Sequence, residues 1–174
     1  MSVQHLQLQY EHFAGDAGLP AEAYMLLQKA REATGIAYAP YSQFRVGAAI
    51  LLENGQVITG ANQENASFPA GLCAERVALS AVSSQFPDAI IKAMAISYQP
   101  AGANSDHPIS PCGICRQTML EYEIRQQQPI RIILGGMTGE IIIIPAAQLL
   151  LPFSFTPQDL KGFPQADHHK HQNG

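Results

Sequence analysis

Apolar positions first recur at helical spacing after Pro20, where Tyr24, Leu27 and Ala30 stand three apart before Thr34-Gly35, so the pattern predicts a helix with proline near its start. From Phe44 the pattern changes. FRVGAAILLE, the turn Glu53-Asn54-Gly55 and then QVITGA form two β-rich runs around an Asn-Gly dipeptide, which predicts a hairpin. Residues 73–82 lack glycine and proline and carry Val77, Leu79, Ala81 and Val82, which predicts a second helix. AIIKAMAISY (89–98) reads as a strand, and residues 99–111, with three prolines among Gly, Asn, Ser and Asp, as a loop. A third helix starts near Cys112 and runs to about Gln127, before Pro129, and IRIIL (130–134) and EIIII (140–144) are two more strands around Gly135-Gly136. Strands alternating with helices predict an α/β fold, a three-layer α/β/α sandwich with a central mixed sheet of about five strands. Residues 1–19 show no clear period and read as an N-terminal extension, 20–160 as the domain, and 161–174 (KGFPQADHHKHQNG) as a polar, mobile tail.

At 174 residues the chain suits one domain that buries a core without disulfides. Hydrophobic residues make up 47% and charged residues only 14%, and so low a charged fraction points to surface covered by other subunits. The net charge of -4, with ten Lys plus Arg scattered along the chain, provides no basic stripe for nucleic-acid phosphates and favours a small-molecule partner. The N-terminal MSVQHLQLQYEHF lacks the basic and apolar regions of a signal peptide, and the run from Ile141 to Ile144 is too short to cross a bilayer, so the expectation is a cytoplasmic protein with no membrane partner.

The three cysteines fall in two clusters, Cys73-Ala74-Glu75-Arg76 and Pro111-Cys112-Gly113-Ile114-Cys115. Cys112 and Cys115 have the spacing that points two sulfurs at one metal from a single helical turn, and Cys73 closes the site. Four protein ligands make a structural zinc site, whereas three leave a position for water or substrate, so the count favours catalysis. Three thiolates on Zn²⁺ carry a formal charge of -1, and something must offset it. Predicted helix starts at the cysteines help, and Arg76 or Arg116 can donate charge-assisted hydrogen bonds to sulfur, with Arg76 preferred. Glu75, two residues from Cys73, sits where a carboxylate can move protons without being a ligand.

A ligand-x-Glu segment followed by Pro-Cys-x-x-Cys is the pattern of zinc nucleobase deaminases. With APYSQFRVGAA, GANQENAS, CAERVAL, SPCGICRQ and LLPFSFTPQDL in order from about Ile36 to Leu160, the chain resembles a homotetrameric, three-cysteine cytidine deaminase. The resemblance implies one zinc per subunit and hydrolytic deamination of cytidine and deoxycytidine to uridine and deoxyuridine, with release of ammonia, in pyrimidine salvage. It implies that Glu75 is the catalytic proton carrier, that Phe44 packs at the nucleoside, that Asn62 and Glu64 hold the ribose hydroxyls, and that the Ala74 backbone contacts the pyrimidine. Phe155 would reach a neighbouring subunit's site. Without the resemblance, Phe44 reads as core and Asn62 and Glu64 as a polar turn beside Gly60.

Two other readings stay open. The substrate could be a cytosine-containing nucleoside antibiotic of the blasticidin type. Alternatively the chain could be a non-catalytic zinc-stabilised binding module, with His107 as a fourth ligand. His168, His169 and His171 resemble a metal-binding tract but read as solvated tail.

Overall fold

The computed structural model describes residues 1–160; the tail 161–174, read above as mobile, lies outside the described residues. The elements in order are β1 (Glu11–Phe13), α1 (Ala21–Ala33), β2 (Phe44–Leu52), β3 (Val57–Ala61), α2 (Ala74–Gln85), β4 (Ile91–Pro100), α3 (Gly113–Gln126), β5 (Arg131–Gly135) and β6 (Ile141–Ile144). Every helix and strand expected from the pattern is present within a few residues of its predicted bounds. The strands form one six-stranded sheet in the order β1-β6-β5-β4-β2-β3. Only β4 and β5 run parallel, and such a pair needs a crossover, which α3 supplies. The sixth strand, β1, comes from the segment without periodicity: three residues pair along Ile141, Ile142 and Ile143 at the sheet edge.

Alternation along the strands divides the core into two layers. Ala48, Ile50 and Leu52 of β2, Met94 and Ile96 of β4 and Ile132 and Leu134 of β5 pack against α2 and α3. Their neighbours Ala49, Leu51, Ala93, Ala95 and Ile133 pack against α1. The α1 side is tight because its residues are small: a Cβ on Gly47 would lie 2.1 Å from the Ala30 carbonyl oxygen. Buried Arg31 of α1 ties the extension to this layer, donating two hydrogen bonds to Asp16 (2.7 and 2.9 Å) and one to the Gly136 carbonyl (2.9 Å).

On the other face two contacts set the positions of α2 and α3. A Cβ on Gly60 would lie 2.5 Å from Ala78 N and 2.6 Å from the Ala74 carbonyl, so only glycine lets β3 press against α2. The buried Glu123 carboxylate of α3 accepts N–H bonds from Ile130 (2.9 Å), Ala147 (2.7 Å) and Gln148 (3.3 Å), fixing the far end of that helix. The N-termini of α2 and α3 thereby meet, and the candidate chemistry is found there.

Candidate active site

Cys73 is the N-cap of α2 and Cys112 the N-cap of α3, and Cys115 lies one turn into α3. Neither N-cap cysteine makes a side-chain capping bond. Ser, Thr, Asp or Asn there would stabilise each helix by about 1 kcal/mol, so these positions forgo capping and present sulfur instead. The sulfurs of Cys73 and Cys112 are 3.7 Å apart and those of Cys112 and Cys115 are 3.5 Å apart. All three lie within 4.8 Å of one another, and they are the only such cluster of potential ligands among the described residues. Zinc–sulfur bonds of about 2.3 Å at tetrahedral angles separate sulfurs by about 3.8 Å, so the three cysteines fit a zinc ion.

The sulfurs are already electronically unequal. The Cys73 thiol is pushed down to about 6 by a hydrogen bond from Cys115, aided by Cys112 and the Arg76 charge and opposed by burial and Glu75. Cys115, donating to Cys73 and buried, is pushed up. Glu75, on the first turn of α2, is 4% exposed, and burial raises its carboxyl above the ordinary range. A carboxyl beside a metal site can both take and give a proton.

Cys73, Glu75 and Cys112 open onto a cavity of about 660 Å³, whose walls also include Ala74, while Cys115 is buried outside the lining. Val46 and Ile96, on the sheet face carrying α2 and α3, also line it, and Asn62 and Glu64 follow β3 into its wall. Asn62 continues the ladder beyond that strand: its Oδ1 accepts from Val46 N (2.7 Å) and its Nδ2 donates to the Phe44 carbonyl (2.9 Å). Glu64 Oε2 accepts from Tyr41 N (2.8 Å) and Ser42 N (3.2 Å). The Ser42 hydroxyl and these N–H groups hold its carboxyl below the ordinary value.

Not every predicted residue reaches the cavity. Phe44 is absent from its lining; it sits between Ser42 and Val46, which do line it, and stacks on Tyr98 (5.3 Å between centroids, 14° between planes). Phe155 is 59% exposed and absent from this chain's own cavity lining. Arg76 is half-buried, and its charge favours the Cys73 thiolate. Arg116 spends its donors elsewhere, on the carbonyls of Pro111 (2.8 Å) and Leu150 (3.1 Å), bracing the turn that carries Cys112. His107, the suggested fourth ligand, lies outside the sulfur cluster; its ring contacts Tyr98 and Asp106 instead. The sequence reading missed Ile109 and Ser110 as cavity wall; their only signal was their place just before Pro111-Cys112.

Residues 21–128 match the family described as cytidine and deoxycytidylate deaminase zinc-binding region. The chain belongs to the cytidine deaminase family. A cytidine deaminase of Halalkalibacterium halodurans is 39% identical over 136 residues, 78% of this chain and 96% of that protein. The crystal structure of cytidine deaminase from Burkholderia pseudomallei superposes with a TM-score of 0.65 at 37% identity, covering 79% of this chain and all of that one. A blasticidin-S deaminase of Bacillus cereus is more distant, 30% identical over 117 residues, 66% of this chain and 79% of that protein. The family match spans both cysteine clusters, and the fitted sulfur geometry makes this a zinc enzyme of the cytidine deaminase family.

Proposed function

We propose that this protein hydrolyses cytidine and deoxycytidine to uridine and deoxyuridine, releasing ammonia in pyrimidine salvage. The carrying observation is that one cavity joins two sulfurs of the three-cysteine cluster, Cys73 and Cys112, a buried carboxyl and the Asn62–Glu64 wall. Zinc held by Cys73, Cys112 and Cys115 supplies Lewis acidity that makes water nucleophilic near neutral pH. The chain's own groups do the rest. Glu75 takes a proton from the attacking water and delivers it to ring nitrogen N3 as the C4–O bond forms, then carries the remaining proton of the new C4 hydroxyl to the amine, so that the C4–N bond breaks, the C4 carbonyl forms and ammonia leaves. Arg76 offsets the thiolate charge. The Ala74 backbone positions the pyrimidine, Phe44 acts from outside this chain's cavity lining by backing the wall between Ser42 and Val46, and Asn62 and Glu64 hold the ribose hydroxyls. The bonds to Tyr41 and Ser42 occupy part of a carboxylate's acceptor capacity and leave room for those hydroxyls.

The catalytic unit is residues 20–160, with β1 of the N-terminal extension added at its sheet edge, acting as a homotetramer. Phe153 is 92% exposed, and Phe155, Phe68 and Ile114 are exposed too, more apolar surface than a lone subunit has reason to present. In the tetramer Phe155 contributes to a neighbour's site. Three cysteines used as metal ligands suit a reducing compartment, the cytoplasm. No helix among the described residues is long and apolar enough to cross a membrane.

The test follows cytidine's ultraviolet absorbance with purified protein, beside free cytosine and a chelator-treated sample. Zinc-dependent loss with cytidine and little with cytosine is expected. Absence of turnover from zinc-loaded protein would overturn the proposal. The likeness to a blasticidin-S deaminase makes the antibiotic a second substrate to run in parallel, and preference for it would replace cytidine as the substrate. Light scattering should give four subunits; a fully active monomer would contradict the assembly.

A further inference from the structure

The segment between β4 and α3, which the sequence shows only as a long loop, is sewn into the fold. The Ser105 hydroxyl hydrogen-bonds the Tyr98 carbonyl and accepts from Met137 N (2.9 Å). Thr138 N donates to the Ser105 carbonyl and Glu140 N to the Asp106 carbonyl, each at 3.0 Å. A Cβ on Gly139 would lie 1.9 Å from the Asp106 oxygen, so this packing depends on that glycine. The anchoring presents His107 to Tyr98. The Tyr98 hydroxyl lies 3.2 Å from Nδ1 and 3.4 Å from Nε2 of the His107 ring, and Asp106 Oδ1 is 3.2 Å from that Nδ1.

Tyr98 is 2% exposed and shares its sheet face with Phe44, Val46 and Ile96. Its ring lies flat beneath Phe44, with the His107 ring edge-on at 5.7 Å. Two and three residues beyond His107, Ile109 and Ser110 form cavity wall. One packed Tyr–His pair therefore adjoins both the backing of Phe44 and the start of that wall.

We propose that Tyr98 and His107 are positioning residues for the nucleoside. The contact of the Tyr98 hydroxyl with the His107 ring holds the Tyr98 ring as a platform for Phe44 and fixes the Ile109–Ser110 wall, setting how tightly the pyrimidine is gripped. Neither residue touches the reacting atoms. This rests on the reading of Phe44 and the cavity as the nucleoside site.

The test compares Tyr98→Phe, which keeps the ring and removes the hydroxyl, with His107→Ala and His107→Asn, reading uridine affinity by calorimetry and cytidine KM and kcat. The His107 side chain is 62% exposed, so its replacement leaves the core intact. The expected result is an about three- to tenfold weaker uridine Kd and higher KM in Tyr98→Phe and His107→Ala, the scale of one lost polar contact, with kcat held. His107→Asn should recover most of the affinity. Wild-type affinity in His107→Ala, or a fall in kcat alone, would overturn the proposal and leave the deaminase reading standing. A wild-type protein that binds no pyrimidine nucleoside would overturn both.

Discussion

On the metal side of the cavity, Cys73, Glu75, Cys112 and Cys115 all stand at or within the first turn of a helix, and the helices are seated by Gly60 and Glu123. The loop side differs. Tyr41, Ser42, Asn62 and Glu64 belong to segments held by cross-links: Tyr38 N to the Asn62 carbonyl (3.0 Å), Glu64 N to the Tyr38 carbonyl (2.8 Å), and the Asn62 and Glu64 side chains to backbone. Helix placement gives rigid distances between groups that share one ion, whereas the loop side is held only by hydrogen bonds between segments. Damage to the helix side should therefore stop the chemistry, and damage to the loop side should weaken recognition.

The strongest way to break this division is to remove the metal. Chelation should abolish turnover, by about a thousandfold or more, and lower the melting temperature because three thiols are then left crowded at the junction of α2 and α3. If activity survived in metal-free protein, the helix side would not be the chemical side. Next in size, the proposed ribose contact requires Glu64→Gln to cut kcat/KM for cytidine by about a hundredfold, the scale of a hydroxyl losing a charged partner, and to leave zinc content unchanged. An equal loss of zinc would erase the distinction between the sides.

A smaller effect tests how the sides are joined. Gly60→Ala should destabilise the fold by about 1–3 kcal/mol in denaturant titration, since its Cβ would meet backbone that cannot swing away. The smallest effect concerns pH. Hydrogen bonds from Ser42 and Tyr41 hold the Glu64 carboxyl below the usual carboxylate range, so its contribution to loop stability is full above the pKa of a free glutamate and is lost as pH falls through the lower folded pKa. The melting-temperature gap between wild type and Glu64→Gln should narrow over that acidic window and stay constant above it.

The same division governs what the chain discloses before folding. Cys73, Cys112 and Cys115 were legible because ligand spacing and helix starts are local properties, as was the hairpin at Asn54-Gly55. Strand β1 was not, because three residues gain strand character only from Ile141–Ile143. The ladder-extending role of Asn62 depends on β2 lying alongside, so in sequence it reads only as a polar turn. Glu123 resembles any helical glutamate until the N–H groups of Ile130, Ala147 and Gln148 converge on it. Arg116 could have served sulfur by position; the nearby Pro111 and Leu150 carbonyls claim it instead.

The central claim is that a buried carboxyl moves the protons beside a three-cysteine metal site, and steady-state kinetics of Glu75→Gln, with zinc measured in the same sample, tests it most directly. The account predicts a kcat lower by about 10²–10⁴-fold with zinc content and uridine affinity retained. Near-normal turnover by the zinc-loaded variant would contradict it.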